Sequence, residues 1–259
     1  MQRAIDFIGH LFSSKTRHGT HSPFIYALIE DCVYKQKPLP EREIKLFFET
    51  LKTNDELITG ADFGNGGRQV TRPISHYAKT SSMLDFQANL LCRFVAYLKP
   101  HFILELGTNI GKSGAYMASA NRDCRMITID ANDGLKCLAA KHFQYLELFN
   151  VECRAQTFET FFNENNDSFD FIFLDGNHHY EPTIEYYKSL KTIVNSGGAL
   201  VFHDIYYNAG MKKAWAEIKR DQDVRVSLDL FFFGIVWFGK NQAKEDFKIR
   251  FPKPLFRLF

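Results

Sequence analysis

The 259-residue sequence lacks the long apolar runs, paired cysteines and charge excess that mark several classes of protein. Its most apolar stretch, residues 231–238, is far shorter than the roughly 20 residues that a membrane-spanning helix needs. The five cysteines are scattered and include no C-x-x-C pair, which favours reduced thiols over disulfides or a zinc site. The formal net charge of +2 is too small to indicate a nucleic-acid or membrane partner. We therefore expect a cytoplasmic protein that binds neither nucleic acid nor a membrane. We leave its oligomeric state open, and a homodimer is one of the options.

Short apolar runs alternate with helical patterns from residue 102 onward, which is typical of βαβ units and a parallel sheet. Two further runs follow each other closely near the C-terminus and predict an antiparallel hairpin on the edge of that sheet. The sequence thus predicts a Rossmann-like, doubly wound α/β fold with a mostly parallel, seven-stranded sheet. The predicted strands are residues 102–106, 126–129, 151–154, 169–174, 199–202, 224–230 and 235–239.

The first 80 residues have a different pattern, and we predict an N-terminal helical segment (1–80) before the main domain (81–259). Ile5, Phe7, Ile8, Leu11 and Phe12 form one apolar helical face, and we expect the helical segment to cover the acceptor site. A glycine-rich stretch at residues 60–67 has no apolar strand before or after it, and we interpret it as a loop; a lid over the site is the functional alternative.

A glycine turn follows the first strand of the main domain, in the sequence LELGTNIGKSG at residues 104–114. Such a turn presents backbone N–H groups and a helix N-terminus to a ligand. A dinucleotide site needs G-x-G-x-x-G, but Asn109 stands at the second glycine position. A phosphate-binding P-loop needs four residues between its glycines, whereas three separate Gly107 from Gly111. Glu105 would also repel a polyphosphate.

The third class of ligand is S-adenosylmethionine, whose ammonium and sulfonium groups are attracted by a carboxylate at the strand end. The pattern E-x-G-x-x-x-G-x-S resembles motif I of small-molecule O-methyltransferases in the class I methyltransferase superfamily. The resemblance extends to an acid at the end of the next strand, where the family binds the ribose hydroxyls. It implies a cofactor site made of Glu105, Gly107, Thr108, Gly111, Ser113, Asp130, Ala131, Gln156 (against the adenine) and Asp175.

Polar residues also end the fourth and fifth predicted strands, in DGNHHY at residues 175–180 and in His203-Asp204. These strings are similar to a bacterial family related to catechol- and sugar-type O-methyltransferases. In the metal-dependent branch of that family, two acids and an asparagine hold magnesium. The resemblance implies Asp175 and Asp204 as ligands of Mg²⁺, but the third position is Ile205, which cannot bind a cation, so that His203 or a water would have to complete a looser site. His178 and Asp175 are the predicted catalytic residues, with His178 as the base that deprotonates the acceptor.

The sequence therefore favours methyl transfer from S-adenosylmethionine to a hydroxyl oxygen of a small molecule. A nucleoside triphosphatase and a non-catalytic domain that binds adenosylmethionine are the alternatives.

Overall fold

The computed structural model describes residues 2–34, 42–62, 67–239 and 243–252. The chain forms two compact units. The first unit comprises Met1–Lys37 and Ser168–Phe259, and the second comprises Pro38–Asp167. Among the described residues, no helix is both long enough and apolar enough to cross a membrane.

Helices and strands alternate along most of the chain. The helices are α1 (Gln2–Ser13), α2 (Pro23–Ile29), α3 (Arg42–Thr50), α4 (Ile74–Thr80), α5 (Asp85–Leu98), α6 (Lys112–Ala120), α7 (Asp133–Tyr145), α8 (Phe158–Glu164), α9 (Tyr180–Ile193) and α10 (Ala209–Arg220). The strands are β1 (Leu57–Asp62), β2 (Arg68–Pro73), β3 (Phe102–Leu106), β4 (Arg125–Asp130), β5 (Val151–Ala155), β6 (Phe169–Leu174), β7 (Val194–His203), β8 (Val224–Asp229), β9 (Phe233–Phe238) and β10 (Glu245–Lys248). A π-helical turn, Glu30–Tyr34, follows α2.

The second unit contains three parallel strands in the order β3-β4-β5. Four of the five β3 residues and four of the six β4 residues are buried, as continuous apolar runs in a covered parallel sheet should be. Helix α7 begins after Asn132, whose side chain accepts a hydrogen bond from the backbone N–H of Leu135. The predicted alternation of strands and helices is therefore confirmed in this unit.

The same unit contains a hairpin that the sequence did not predict. Strands β1 and β2 pair antiparallel, with Gly60 opposite Val70. The interpretation of residues 60–62 as part of a loop is therefore wrong, because they belong to β1. These strands contain few apolar residues and β2 is largely exposed, so their pattern carries little of the usual strand signal. Residues 63–66, the centre of the predicted loop and of the alternative lid, lie outside the described residues.

The first unit contains the strands β6 to β10. Strand β6 pairs parallel with β7, while β9 pairs antiparallel with both β7 and β8. The predicted C-terminal hairpin is confirmed as β8 and β9. A short strand, β10, adds to the seven that the sequence predicts and runs parallel to β8. Among the described residues, the first unit thus contributes five strands and the second three to the mostly parallel Rossmann-like fold, which is confirmed.

The apolar face of helix α1 is not its inward face. The inward face carries Arg3, Asp6, Phe7 and His10, and Phe7 is the one buried member of the apolar set named above. The apolar residues of the other face are exposed at Ile5 (56 %), Ile8 (47 %) and Phe12 (87 %). Specific ion pairs, described below, orient this helix, and they are not visible in its apolar periodicity.

Candidate functional site

The glycine turn between β3 and α6 has a backbone that only special residues adopt. Gly107 and Gly111 have φ values of 108° and 83°, and Asn109 between them has a φ of 49°. Asparagine is one of the few side chains that tolerate this left-handed region. A Cβ atom at Gly111 would also lie 3.0 Å from the Phe143 ring. The turn therefore needs glycine at position 111 for both its backbone angle and its space.

Asp130, at the end of β4, lies directly beside this turn. Its Oδ2 accepts a hydrogen bond from the Asn109 backbone N–H (2.8 Å), and its Oδ1 accepts one from the Asn132 backbone N–H (2.9 Å). Burial raises the pKa of Asp130, and the two backbone donors oppose that rise. Each carboxylate oxygen can accept a second bond. The structure thus brings together the glycine turn and the acid that the sequence assigns to one cofactor.

Glu105 is completely buried and is fully used inside the unit. Its Oε1 accepts from the Ser113 hydroxyl (2.5 Å), and its Oε2 accepts from the Thr128 hydroxyl (2.6 Å). The Thr128 hydroxyl is also 2.7 Å from that of Thr108. Three of the predicted cofactor residues, Glu105, Thr108 and Ser113, therefore form one hydrogen-bonded chain that braces the turn from beneath.

Lys112 occupies the position that would be the phosphate-binding lysine of a P-loop. Its ammonium is 2.6 Å from the Asp85 carboxylate, and its side chain is only 7 % exposed. Lys45 lies 3.2 Å from the other oxygen of Asp85. Burial would raise the pKa of Asp85, but these two lysines hold it below its usual range. A lysine held in this way is not available to a polyphosphate, which argues against the nucleotide interpretation.

The β1–β2 hairpin contacts the loop that follows Asp130, a feature that the sequence analysis missed. The Asn132 side-chain amide donates to the Ala61 carbonyl (3.1 Å), and a Cβ at Gly60 would lie 1.9 Å from the Asn132 Oδ1. The sequence signals are the glycines at positions 60 and 134, which permit this close approach; a Cβ at Gly134 would lie 2.3 Å from the Thr59 carbonyl oxygen. Ala131, in the same loop, is partly exposed.

Gln156 lies at the end of the neighbouring strand, β5. Its backbone N–H donates to the Asp130 carbonyl (3.2 Å), and its side chain is partly exposed. Gln156, which is expected to contact the adenine, is thus one strand away from Asp130, which is expected to bind the ribose. Both lie at the carboxyl ends of neighbouring strands in the second unit.

In the first unit, Asp175, His178 and His203 come together at the ends of β6 and β7, and we call them the acid–histidine cluster. The Asp175 Oδ1 is 2.8 Å from the His203 Nδ1 and 3.6 Å from the His178 Nε2. His203 is 8 % exposed, and His178 packs beside the Tyr207 ring at 5.2 Å between centroids. The two predicted catalytic residues are therefore neighbours, and His203 joins them.

The three groups of this cluster differ in charge. Burial alone would raise the pKa of Asp175, but the attraction and hydrogen bond of His203 hold it below its usual value. Burial would lower the pKa of His203, but Asp175 and Asp204 raise it. For His178, burial lowers the pKa, and the pull of Asp175 does not fully offset this effect. The arrangement favours an Asp175–His203 ion pair beside a neutral His178.

The predicted magnesium ligands do not fit that ion. Ile205 has no donor atom and is 1 % exposed. Asp204, which has a φ of 53°, holds the Arg3 guanidinium at 2.5 Å through its Oδ1. Magnesium prefers oxygen ligands in a regular octahedron, and here an apolar residue and a carboxylate paired with arginine occupy two of the three positions. Arg3 was missed from the sequence because 201 positions separate it from Asp204.

Residues 104–205 match the model of a family described as a methyltransferase domain. This segment, less than half of the chain, contains the glycine turn, Asp130 and the acid–histidine cluster. The resemblance to class I S-adenosylmethionine-dependent methyltransferases is therefore confirmed. A search of curated proteins by sequence finds no match.

Solved structures with a similar fold include several methyltransferases. Cofactor-bound Rv0187 from MTB has a TM-score of 0.59 at 13 % identity, covering 86 % of this chain and 99 % of its own. The O-methyltransferase TomG from Streptomyces achromogenes, in complex with SAM, has a TM-score of 0.54 at 19 % identity, covering 61 % and 82 %. The O-methyltransferase from Bacillus cereus, in complex with SAH, has a TM-score of 0.52 at 19 % identity, covering 61 % and 83 %. At these identities the likeness establishes the fold alone.

Proposed function

We propose that this protein transfers the methyl group of S-adenosylmethionine to a hydroxyl oxygen of a small molecule. The observation that carries the proposal is the pairing of the glycine turn with Asp130, through the hydrogen bond from the Asn109 backbone to the carboxylate. A carboxylate at this position suits a ligand with ribose hydroxyls and a positive charge, and it repels a polyphosphate.

In this proposal the donor is held by the second unit. The free lone pairs of Asp130 accept the ribose hydroxyls, Gln156 and Ala131 lie beside the adenine, and the turn from Gly107 to Gly111 approaches the methionine part of the cofactor. Glu105 acts through the hydroxyls that it holds, since its own oxygens are buried. The contribution of Glu105 is to keep the turn in shape for the cofactor.

The acceptor is activated by the acid–histidine cluster of the first unit. An alcohol is a poor nucleophile at neutral pH, and a positioned neutral imidazole that takes its proton contributes typically about 10²–10⁴ in rate. His178 is suited to this role because burial lowers its pKa. Asp175, paired with His203, supplies the negative charge that stabilises His178 once it has become protonated. The methyl group then moves from sulfur to the acceptor oxygen, and S-adenosylhomocysteine leaves.

Calorimetry tests the donor half of the proposal. The full chain is titrated with S-adenosylmethionine, S-adenosylhomocysteine and ATP, and only the first two are expected to bind. Asp130→Ala removes two hydrogen bonds to a charged acceptor and should weaken binding by about 100-fold, or about 2.7 kcal/mol. The matched control is Asp133→Ala, an exposed acid three residues later, which should bind like the unchanged protein. Binding of ATP alone would overturn the assignment of the donor.

Turnover tests the acceptor half. A library of hydroxylated small molecules is screened for formation of S-adenosylhomocysteine. His178→Ala is expected to lose turnover by about 10²–10⁴ while its cofactor titration stays unchanged. His179→Ala, the adjacent exposed histidine, is the control. Cofactor binding without turnover on any acceptor would favour a non-catalytic binding domain, and equal rates in the two variants would remove His178 from the mechanism.

A further inference from the structure

The acid–histidine cluster has the composition of a metal site that differs from the magnesium site of the related enzymes. We infer that Asp175, His178 and His203 bind a divalent transition metal of the zinc type. The inference concerns metal binding itself and does not depend on the proposed methyl transfer.

The spacing of the three side chains fits a single ion. One ligand atom from each lies within 4.8 Å of the other two, and the Asp175 oxygen is 2.8 Å from His203 and 3.6 Å from His178. Ligands bound to zinc at about 2.0–2.2 Å lie about 3–3.5 Å from one another. Small rotations of these side chains therefore bring all three onto one ion, without any change in the strands that carry them.

The donor atoms select the kind of metal. Two imidazole nitrogens and one carboxylate oxygen suit zinc, cobalt, nickel or iron, whereas magnesium prefers oxygen ligands alone. Three protein ligands also leave a coordination position open, which is typical of zinc sites that bind a water or a substrate. The ligand set therefore explains how the cluster can bind a cation although Ile205 cannot act as a ligand.

An independent observation comes from the far side of the His203 ring. Its Nε2 is buried and has no hydrogen-bond partner among the residues that the structure describes. The nearest carboxylate oxygen, Oδ1 of Asp204, is 3.7 Å away. A histidine that binds a metal through one nitrogen usually donates the other N–H to a carboxylate. With a metal on Nδ1, the ring proton lies on Nε2 and faces Asp204. The nitrogen without a hydrogen-bond partner then acts as the N–H donor toward this carboxylate.

Metal binding and proton abstraction by His178 exclude each other, because both use the lone pair of Nε2. A chain loaded with zinc therefore lacks its free base. If both proposals hold, zinc slows turnover while leaving cofactor binding intact. The metal titration and the cofactor titration report on different residues, so either proposal can fail while the other stands.

The test is a titration of the metal-stripped full chain with Zn²⁺, Co²⁺ or Mg²⁺ alone, followed by calorimetry and, for Co²⁺, by visible absorption. We expect one tight Zn²⁺ per chain, displacement of Co²⁺ by Zn²⁺, and no competition from Mg²⁺. His178→Ala removes a ligand of the metal itself. Loss of a residue that only hydrogen-bonds to a ligand weakens metal binding by about 10–100-fold, and we expect His178→Ala to weaken Zn²⁺ binding by more than that. His179→Ala is the matched control and should bind Zn²⁺ normally.

Neither substitution of a proposed ligand is expected to prevent the chain from folding. His178 is partly exposed, so its replacement should be tolerated, and Asp175→Asn provides a second variant of nearly the same shape. Equal Zn²⁺ affinities in His178→Ala and His179→Ala would overturn the inference, as would Mg²⁺ binding as tight as that of Zn²⁺. In either case the cluster is an ion pair with a histidine beside it and not a metal site.

Discussion

Replacing Asp229 with asparagine should destabilise the first unit, because this buried carboxylate accepts four hydrogen bonds. Its Oδ1 accepts from the His10 ring (3.1 Å) and the Phe231 backbone N–H (3.0 Å). Its Oδ2 accepts from the Tyr206 hydroxyl (2.9 Å) and the Trp215 indole N–H (3.2 Å). Asp229 is 2 % exposed, so none of these donors can turn to bulk water instead.

The size of the effect follows from which donors can adapt. If the new amide nitrogen replaces Oδ2, the Tyr206 hydroxyl can rotate and accept a bond from it. The Trp215 indole N–H cannot accept, and it loses its partner. Loss of one hydrogen bond to a charged acceptor costs about 1.5–3 kcal/mol, and we expect the free energy of unfolding to fall by this amount. The control, Asp223→Asn, changes a carboxylate whose side chain is 67 % exposed, and it should stay within about 0.5 kcal/mol.

The assay is urea unfolding at several pH values, with the slope of the transition checked for constancy. Burial would raise the pKa of Asp229, but the hydrogen bond and charge of His10 and the other donors lower it. A lowered carboxyl pKa stabilises the fold above the unfolded value of roughly 3.9, and this stabilisation is lost as the pH falls through the folded value. The difference in the free energy of unfolding between the unchanged protein and Asp229→Asn should therefore be largest near neutral pH and decrease in acid. A variant as stable as Asp223→Asn, or a difference that persists unchanged in acid, would refute this reasoning.

Two further substitutions in the second unit have expected outcomes, both measured by urea unfolding. Glu105→Ala leaves two buried hydroxyls without their acceptor and should lower the free energy of unfolding by about 3 kcal/mol or more; a loss below about 1 kcal/mol would contradict the bracing role. Gly60→Ala places a Cβ 1.9 Å from the Asn132 Oδ1 and should cost about 1–3 kcal/mol. Gly9→Ala, inside α1 with nothing within 4 Å of the added atom, should instead stabilise by about 0.5–1 kcal/mol. Equal effects of the two glycine substitutions would contradict the close contact at position 60.

The parts of the fold and site that the sequence predicted are those encoded locally. The alternating strands, the C-terminal hairpin and the glycine turn depend on residues a few positions apart. Asp130 could be placed beside that turn because consecutive parallel strands end at one edge of a sheet. Glu105 was placed at the end of the right strand, but the direction of its side chain depends on Ser113 and Thr128, whose hydroxyls it binds. Periodicity does not report this kind of contact.

The features that were missed depend on contacts distant in sequence. Arg3 and Asp204 are 201 positions apart, and His10 and Asp229 are 219 apart. The inward face of α1 does not follow from its apolar periodicity. A buried carboxylate and two further charges attract the polar face. The β1–β2 hairpin was missed because its strands contain few apolar residues, and because a hydrogen bond from Asn132 and the space left at Gly60 allow its close approach.

Three polar contacts of α1, two ion pairs and one hydrogen bond, connect the stability of the first unit to its chemistry. They join Arg3 to Asp204, Asp6 to Lys212 and His10 to Asp229, so that the N-terminal end of the helix carries its guanidinium to the edge of the acid–histidine cluster. Asp204 is also 3.7 Å from the Nε2 of His203 and raises the pKa of that ring, whereas Arg3 lowers it. Displacing the N-terminal end of α1 would therefore remove a positive charge from the cluster. A residue far from the proposed base thus influences the charge of His203, and through it the charge that Asp175 presents to His178.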